Sequence, residues 1–423
     1  MNDLTGGARL DGQAPCLPMR FGAFSLACEF QPIVSPAHRR TVGFESLARP
    51  WCEGHPASPG TLFSHANAEQ REPSLDIALW QQALRSYAWS NPHAWLFLNL
   101  SAASVEDSCT TPETLAALVH QAGLSCDRIV LEIVEDAVHD QSALVQFVAH
   151  CRQHGFRIAI DDFGAGDAHF ERIWRLRPDI VKMDRTMVVH AVENTRASRL
   201  FLSLIRMIRE NGSLVLVEGL ETHQQAALGW ESDADLHQGF WYSHPSPTLE
   251  TASADAESQL LEAQQHFTVP NCQQESERNQ YFRHLRHEIL EVCHRVAGGA
   301  PLSEAASRLL ACPGAKRCYL LDTRGEQQGE TAFAAGYDRT RSMFNPLLRA
   351  KGANWSHREY FRNAVNTPGN IHLSRPYVAL PDTARTVTAS HMTFTLEGYR
   401  ILCLDIHPEE AFPDSHHQLP RQL

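Results

Sequence analysis

The sequence predicts an α/β protein: a TIM-like (β/α)8 barrel, then a helical connector and a smaller α+β domain. Short apolar runs alternate with longer segments of helical spacing from about residue 28 to residue 247. Strands that alternate with helices pair in parallel, and a span of roughly 220–250 residues suits a closed barrel. An open doubly wound sheet is the structural alternative. Beyond residue 298 the alternation stops, which indicates a second domain.

The predicted strands of the barrel are runs of β-branched and aliphatic residues, at 42–47, 95–100, 128–133, 157–160, 180–183, 214–217 and, less regularly, 237–242. The predicted helices between them have apolar residues at helical intervals, at 112–122, 143–154, 197–210 and 224–231. In the second domain, the runs at 318–322 and 399–406 predict strands, and 356–364 predicts a helix.

Composition places the domain boundaries. Residues 1–18 are rich in Gly, Pro and small polar residues and predict a flexible N-terminus, before the barrel at 19–248. Residues 249–297 are rich in Gln, Glu, Ala and Arg, which predicts a helical connector that Pro270 and Asn271 interrupt. The second domain follows at 298–407, and the polar residues 408–423 predict a flexible tail.

Composition also excludes several classes of protein. The chain is 43% hydrophobic, but its apolar stretches are too short for a membrane span, and its N-terminus lacks the pattern of a secretory signal. The 11 cysteines form no Cys-x-x-Cys pair, which disfavours a disulfide framework and fits the cytoplasm. A net charge of −12 disfavours binding to duplex nucleic acid.

Polar residues end six successive apolar runs of the barrel. Catalytic residues of such barrels lie at this face, although any one of these side chains could be only a solvated strand end. As a set, carboxylates and an amide predict a hard cation such as Mg²⁺ or Mn²⁺, and an adjacent Asp pair could bridge two metals. A lysine there would orient a water or offset charge on phosphate oxygens. The set is Glu45, Asn99, Glu132, Asp161, Asp162, Lys182 and Glu218.

Five of these residues lie in segments that resemble the EAL-domain family of bacterial cyclic di-GMP phosphodiesterases. The segments are FQPIV at 30–34, FESLARP at 44–50, DDFGAG at 161–166, VKMD at 181–184, EGLET at 218–222 and QGF at 238–240. The resemblance covers about residues 24–247. It implies a modified (β/α)8 barrel that cuts cyclic di-GMP to linear pGpG with Mg²⁺ or Mn²⁺ in a two-metal site.

The resemblance also implies roles for single residues. Two metal sites would share Asp161: the first would include Glu45, Asn99 and Glu132, and the second Asp162 and Glu218. Lys182, Glu218 and Asp162 would be catalytic, with Lys182 orienting the attacking water. The substrate would contact Gln31, Glu45, Leu47, Arg49 and Gln238, with Arg49 near a phosphate. Glu135 and Glu221 would support the loop after Asp162.

The sequence departs from the family pattern at three places. Ser46 replaces a small apolar residue, residues 167–169 read Asp-Ala-His, and 241–245 lack the usual glycine and arginine. The resemblance implies that the change at 167–169 affects regulation. It also implies that the change at 241–245 weakens binding of one base or phosphate. A catalytically weak or inactive receptor for cyclic di-GMP is therefore the alternative function. A glycosidase with paired carboxylates is a third hypothesis, but it does not account for Asn99 and Lys182.

The second domain resembles PAS/Cache-type sensory domains in the segments WSHREYF at 355–361, SRPY at 374–377 and LCLDI at 402–406. This resemblance implies an unknown small-molecule ligand that regulates the barrel. The aromatic residues Trp355, Tyr360 and Phe361 fit a core better than ligand contacts. Because EAL barrels commonly pair, a homodimer is expected.

Overall fold

Two structural units make up the chain, Met1–Val269 and Pro270–Leu423. The computed structural model describes residues 19–90, 93–134, 141–166, 170–268, 271–337, 350–379 and 384–411. None of the helices in these ranges is both long enough and apolar enough to cross a membrane. The predicted flexible N-terminus, 1–18, lies outside the described residues, as does 412–423 of the predicted tail. The first part of that tail, Pro408–Ala411, is helical rather than irregular.

The first unit alternates strands and helices as the sequence predicts. Its strands are β1 (Met19–Phe21), β2 (Phe24–Ser35), β3 (Arg40–Cys52), β4 (His55–Pro56), β5 (Trp95–Leu100), β6 (Ile129–Val134), β7 (Arg157–Phe163), β8 (Ile180–Met183), β9 (Leu214–Val217) and β10 (Leu236–His237). Its helices are α1 (Pro59–Ala68), α2 (Glu72–Ser90), α3 (Ala102–Glu106), α4 (Pro112–Gln121), α5 (Gln141–Gln153), α6 (Phe170–Leu176), α7 (Arg185–Glu193), α8 (Thr195–Glu210), α9 (His223–Glu231) and α10 (Leu249–Thr268).

Eight strands close into a barrel in the order β2, β3, β5, β6, β7, β8, β9 and β10, with β10 returning to β2. The barrel confirms the predicted fold class, with one difference: β2 is antiparallel to both of its neighbours. The reason is local, because only residues 36–39 join β2 to β3 and Arg39 adopts a positive φ of 55°. A connection this short makes a hairpin, whereas a parallel pair needs a crossover.

An apolar layer fills the interior of the barrel. Its buried members come one from each strand except β3, which adds the partly buried Val42: Ile33, Phe97, Val130, Ala159, Ile180, Leu216 and Leu236. Beside Val42, Gly43 leaves room for the Phe97 ring, since a Cβ at Gly43 would lie 2.7 Å from Phe97 Cε2. The layer is a packed plug, and it positions the polar residues that follow it along each strand.

The predicted strand at 237–242 is wrong beyond its first residue. The strand β10 contains only Leu236 and His237, and the chain then turns. The backbone at Gly239 packs directly on Leu220, where a Cβ would lie 2.2 Å from the Leu220 carbonyl oxygen. Gln238 O accepts a hydrogen bond from Leu220 N (3.1 Å), which fixes Gln238 at the top of the barrel.

The helix α10 is part of the barrel unit. It contacts β2 and β3, and its side chains Leu249, Ala252, Ala256 and Leu260 are buried in the main core of the first unit. The sequence places this helix in a connector at 249–297, but the structure assigns the two halves of that segment to different units. Apolar residues spaced three and four apart on α10 explain the packing.

The second unit contains an antiparallel sheet with helices. Its helices are α11 (Asn271–Ala297), α12 (Leu302–Ala305), α13 (Glu359–Asn366) and α14 (Pro408–Ala411). Its strands are β11 (Ala315–Leu321), β12 (Gln327–Phe333), β13 (Ile371–Leu373), β14 (Tyr377–Val378), β15 (Arg385–Thr395) and β16 (Gly398–Ile406). The strand order is β12, β11, β16, β15 and β13, and β14 also pairs with β15.

One face of this second sheet packs on α11, and the other packs on α13. Leu285, Ile289 and Val292 of α11 share a core with Leu402 and Leu404. On the other face, Tyr360 and Phe361 are buried with Tyr319 and Cys403. Tyr360 and Phe361 are therefore core residues, and Trp355 packs against this core while partly buried.

Candidate metal and phosphodiester site

The candidate site is a polar layer directly above the apolar layer of the barrel. Side chains alternate along a strand, so a residue two positions after an inward-facing residue also faces inward. Phe97 is followed in this way by Asn99, and Val130 by Glu132. The same step of two relates each further pair: Ala159 and Asp161, Ile180 and Lys182, Leu216 and Glu218, Leu236 and Gln238, and, in the antiparallel β2, Ile33 and Gln31. Several of these residues lie within strands rather than after them, as Glu45 does in β3.

Lys182 lies at the centre of this layer. Its Nζ is 2.5 Å from Glu132 Oε1, 2.7 Å from Glu218 Oε1 and 3.0 Å from Asp161 Oδ1. Glu45 Oε2 is farther away, at 3.6 Å. The Lys182 side chain is only 1% exposed. The structure thus brings the predicted lysine into contact with four of the predicted metal ligands.

Burial and charge shift the pKa values of the site in a coupled way. Burial, reinforced by the neighbouring Glu45, raises the pKa of Glu132 well above its usual value. Burial also raises the pKa of Glu218, although the Lys182 ammonium opposes that shift. For Lys182, burial lowers the pKa, but the four surrounding carboxylates outweigh it and raise that pKa well above its usual value. One ammonium therefore does not compensate this many carboxylates.

Hydrogen bonds connect Glu45 to the side-chain amides of Gln238 and Asn99, and Gln238 to Gln31. Gln238 Nε2 donates to Glu45 Oε2 (2.7 Å) and to Gln31 Oε1 (3.2 Å). Asn99 Nδ2 lies 3.4 Å from Glu45 Oε1. The backbone carbonyl oxygen of Asn99 accepts a hydrogen bond from the Trp80 indole (2.9 Å). Of the substrate residues predicted from the sequence, Gln238 therefore contacts a predicted metal ligand directly, and Gln31 is linked to that ligand through Gln238.

The adjacent carboxylates Asp161 and Asp162 have different environments. Asp161 is buried, and its Oδ1 accepts a hydrogen bond from Asp162 N (3.0 Å). Asp162 is exposed and has a positive φ of 54°, a conformation that costs free energy in a non-glycine residue and is frequent at functional sites. Partial burial and the Asp161 charge raise the pKa of Asp162. Residues 167–169 of the following loop lie outside the described residues.

The donor set fits a divalent cation. Oxygen atoms of Glu45, Glu132 and Glu218 lie within 4.8 Å of one another, as do those of Asp161, Asp162 and Glu218. Glu132 Oε2 is buried, yet it has no hydrogen-bond partner in the described part of the chain. A buried carboxylate oxygen without a partner is costly, and a bound cation would compensate it. Oxygen-only ligands favour a hard cation.

A cavity of about 400 Å³ opens beside the polar layer. Its walls include Glu45, Leu47, Arg49 and Asn99, so two predicted substrate residues line the same space as two predicted metal ligands. Glu29 also contacts the site, although the sequence does not predict it as a site residue: its Oε2 accepts a hydrogen bond from Arg49 Nε (2.7 Å). Its position two residues before Gln31 on the same strand is the signal that could have identified it.

The two residues expected to support the loop have different outcomes. Glu135 lies outside the described residues. Glu221 forms an ion pair with Arg185, in which NH2 donates to Oε2 (2.7 Å), and its backbone N donates to Gln225 Oε1 (2.8 Å). Glu221 thus contacts the start of α7 and the first turn of α9, and it remains only predicted as a support for the loop after Asp162.

The fold and the polar layer agree with the family that the sequence comparison identifies. The chain belongs to the EAL-domain family, because the family model of the EAL domain matches residues 18–245. YkuI of Bacillus subtilis, an uncharacterized EAL-domain containing protein, is 24% identical over 81% of this chain and 84% of its own length. The cyclic di-GMP phosphodiesterase NbdA of Pseudomonas aeruginosa is 28% identical over 52% of this chain. The match covers only 29% of NbdA itself.

A solved structure supports the fold across both units. The crystal structure of Bacillus subtilis YkuI in complex with cyclic di-GMP and calcium has a TM-score of 0.71 and 21% sequence identity. The likeness covers 90% of this chain and 96% of that chain. This likeness shows that the two chains share their fold.

Proposed function

We propose that this protein is a metal-dependent phosphodiesterase that hydrolyses cyclic di-GMP to linear pGpG. The observation that carries the proposal is the contact of Lys182 with Glu132, Asp161 and Glu218 inside an EAL-family barrel. A protein that only binds the dinucleotide does not need a buried lysine among carboxylates. Relatives in the family, including NbdA, are named cyclic di-GMP phosphodiesterases.

The proposed metal ligands are those predicted from the sequence. Glu45, Asn99, Glu132 and Asp161 would hold one Mg²⁺ or Mn²⁺, and Asp161 would share the second with Asp162 and Glu218. When bound, the cations supply positive charge at the phosphate and make a hydroxide available at neutral pH.

The remaining proposed roles belong to side chains of this chain. The Lys182 ammonium orients the attacking water and offsets charge that develops on the phosphate oxygens. Leu47 and Arg49, which line the cavity, contact the nucleotide. Gln238 holds Glu45 in place, because its amide donates a hydrogen bond to Glu45 and another to Gln31. Both glutamines also face the substrate.

We also propose that the second unit regulates hydrolysis in response to a small molecule and that the protein acts as a homodimer. The resemblance of its motifs to PAS/Cache domains supports the regulatory role. The homodimer is supported by the common pairing of EAL barrels.

The test is incubation of the purified full-length protein with cyclic di-GMP and Mn²⁺ or Mg²⁺, with pGpG separated by ion-pair chromatography. We expect pGpG to accumulate, and we expect EDTA to abolish it. Ca²⁺ should permit binding with little hydrolysis, since Ca²⁺ prefers a larger and looser shell. A matched control is Glu193→Gln, which removes one exposed carboxylate at the last residue of α7. Tight binding without pGpG in any metal would favour the receptor alternative.

A further inference from the structure

Glu29 is an acidic residue hydrogen-bonded to Arg49, which lines the cavity, and it has no role in the hydrolysis proposed above. On β2, Glu29 and Gln31 are two positions apart and therefore face the same side of the strand. In the β2–β3 hairpin, Glu29 pairs with Leu47, and Ala27 pairs with Arg49. Glu29 and Arg49 are thus diagonal neighbours on the face that carries the site.

Two acceptors on the hairpin hold the guanidinium of Arg49. Arg49 Nε donates to Glu29 Oε2 (2.7 Å), and NH1 donates to the Ala48 carbonyl oxygen (3.0 Å). Within the described ranges, NH2 has no acceptor at hydrogen-bond distance. The side chains of Arg49 and Glu29 are 35% and 31% exposed, so the pair borders the solvent.

Arg49 also lines the cavity proposed to hold the substrate. Arg49 lines the same cavity as Glu45, Leu47 and Asn99, and the phosphodiester to be cut must lie against the metal ligands among them. Because Glu29 and Ala48 occupy two donors, the remaining NH2 donors are available to a phosphate oxygen. An arginine already held in one geometry loses less conformational freedom on binding than a mobile one.

We propose that Glu29 is a positioning residue that holds Arg49 in the geometry for binding a phosphate of the cyclic dinucleotide. This inference rests on the proposed function. Glu29 also carries a negative charge near an anionic substrate, which acts in the opposite direction. That repulsion is weakened because Glu29 is paired with a cation and partly exposed to screening solvent. Pre-organisation therefore prevails, and loss of Glu29 weakens substrate binding.

The experiment compares Glu29→Ala, Glu29→Gln, Arg49→Ala and the Glu29→Ala/Arg49→Ala double variant in the full-length protein. KM and kcat for cyclic di-GMP are measured with Mn²⁺, and Kd is measured calorimetrically with Ca²⁺. We expect Glu29→Ala to raise KM and Kd about three- to tenfold, with kcat within about twofold of the wild type. Glu29→Gln keeps an acceptor for Arg49 Nε and should be intermediate. In the Arg49→Ala background, Glu29→Ala should add no further loss.

The outcomes separate this inference from the proposed function. If the wild type cleaves cyclic di-GMP and Glu29→Ala leaves KM unchanged or lowers it, Glu29 does not position Arg49. An equal loss from Glu29→Ala with and without Arg49 would also overturn the role, since the effect would not act through the guanidinium. If the wild type neither binds nor cleaves cyclic di-GMP, the proposed function fails, and the inference fails with it. Glu193→Ala serves as the charge control and should match the wild type.

Discussion

At the scale of single residues, the site is a balance between buried carboxylates and one ammonium. Glu132 is 0% exposed, and its Oε1 contacts Lys182 at 2.5 Å. Replacing Lys182 leaves the buried Glu132 without a cation, which is the costly case for buried charge. Replacing Glu132 leaves Lys182 paired with Asp161 and Glu218. The two residues have different proposed roles, so their variants should differ in kinetics.

Lys182→Met should lower kcat about 100-fold or more, because an ammonium that offsets developing charge acts mainly in the transition state. Its Kd for cyclic di-GMP in Ca²⁺ should stay within a few fold of the wild type. Glu132→Gln should lower both the affinity for Mn²⁺ and kcat, since it replaces a charged metal ligand with a neutral amide. Steady-state kinetics with a Mn²⁺ titration measures both. A Lys182→Met variant that cleaves at the wild-type rate would contradict the assigned role.

A second residue-scale prediction concerns His237, which is fully buried and whose Nδ1 lies 2.9 Å from the Tyr242 hydroxyl. Burial lowers the pKa of His237 from 6.5 to about 4. The folded chain therefore resists protonation at pH values where the unfolded chain already accepts the proton. The contribution of His237 to the free energy of unfolding, about 3 kcal/mol, is fully present above pH 6.5 and is lost as the pH decreases to about 4.

Urea unfolding of the wild type and His237→Gln at several pH values isolates this contribution. The wild type should lose free energy of unfolding more steeply than the variant between pH 6.5 and 4. Carboxylate titration is common to both proteins and cancels in the comparison. Parallel pH profiles would show that the His237 imidazole is not the source.

At the scale of the elements, β3 meets its neighbours without a side chain at Gly43. A Cβ there would lie 2.7 Å from Phe97 Cε2 and 3.3 Å from Phe97 Cδ2. Phe97 is 0% exposed in the apolar layer that supports the site, so the ring has little room to move. The strand therefore depends on a small residue at this register position.

Gly43→Ala should destabilise the barrel by about 1–3 kcal/mol through overpacking. Gly60→Ala is the matched control, because a Cβ at Gly60 meets only Ser58 Oγ at 3.8 Å and the position lies in α1. That control should be neutral or slightly stabilising. The double variant Gly43→Ala/Phe97→Leu should recover part of the loss. Thermal or urea unfolding measures all three, and equal stabilities of the two alanine variants would refute the packing argument.

At the scale of the whole molecule, the chain divides inside the segment that the sequence predicts to be one connector. α10 buries Leu249, Ala252, Ala256 and Leu260 in the first unit, whereas α11 packs on the sheet of the second unit. A cut before α10 would therefore expose the barrel core. A cut between the two helices would leave each core with its own helix.

A chain of residues 1–269 should fold cooperatively, and a chain of residues 1–247 should be destabilised by several kcal/mol or be insoluble. Circular dichroism with urea unfolding compares the two. The 1–269 protein also tests regulation: we expect it to differ from the full-length protein in hydrolysis rate and in sedimentation. A monomeric 1–269 protein with an unchanged rate would show that neither the second unit nor pairing governs catalysis.

The sequence predicted a barrel, with an open doubly wound sheet as the alternative, because alternating apolar runs and helical segments indicate local burial and parallel pairing. It predicted the strands Trp95–Leu100, Ile180–Met183 and Leu214–Val217 with their observed bounds. It also predicted the polar set, since carboxylates and an amide at the ends of apolar runs are visible in the chain itself. The EAL motifs identified the family.

The contacts between these residues could not be predicted from the sequence and are visible only in the folded chain. The antiparallel pairing of β2, the central position of Lys182 and the Glu29–Arg49 hydrogen bond depend on contacts between distant parts of the chain. The assignment of α10 to the barrel likewise depends on which core its apolar face covers, and helical periodicity does not specify a partner. Local sequence encodes the period and polarity of an element, whereas its neighbours are chosen by packing and charge in the folded chain.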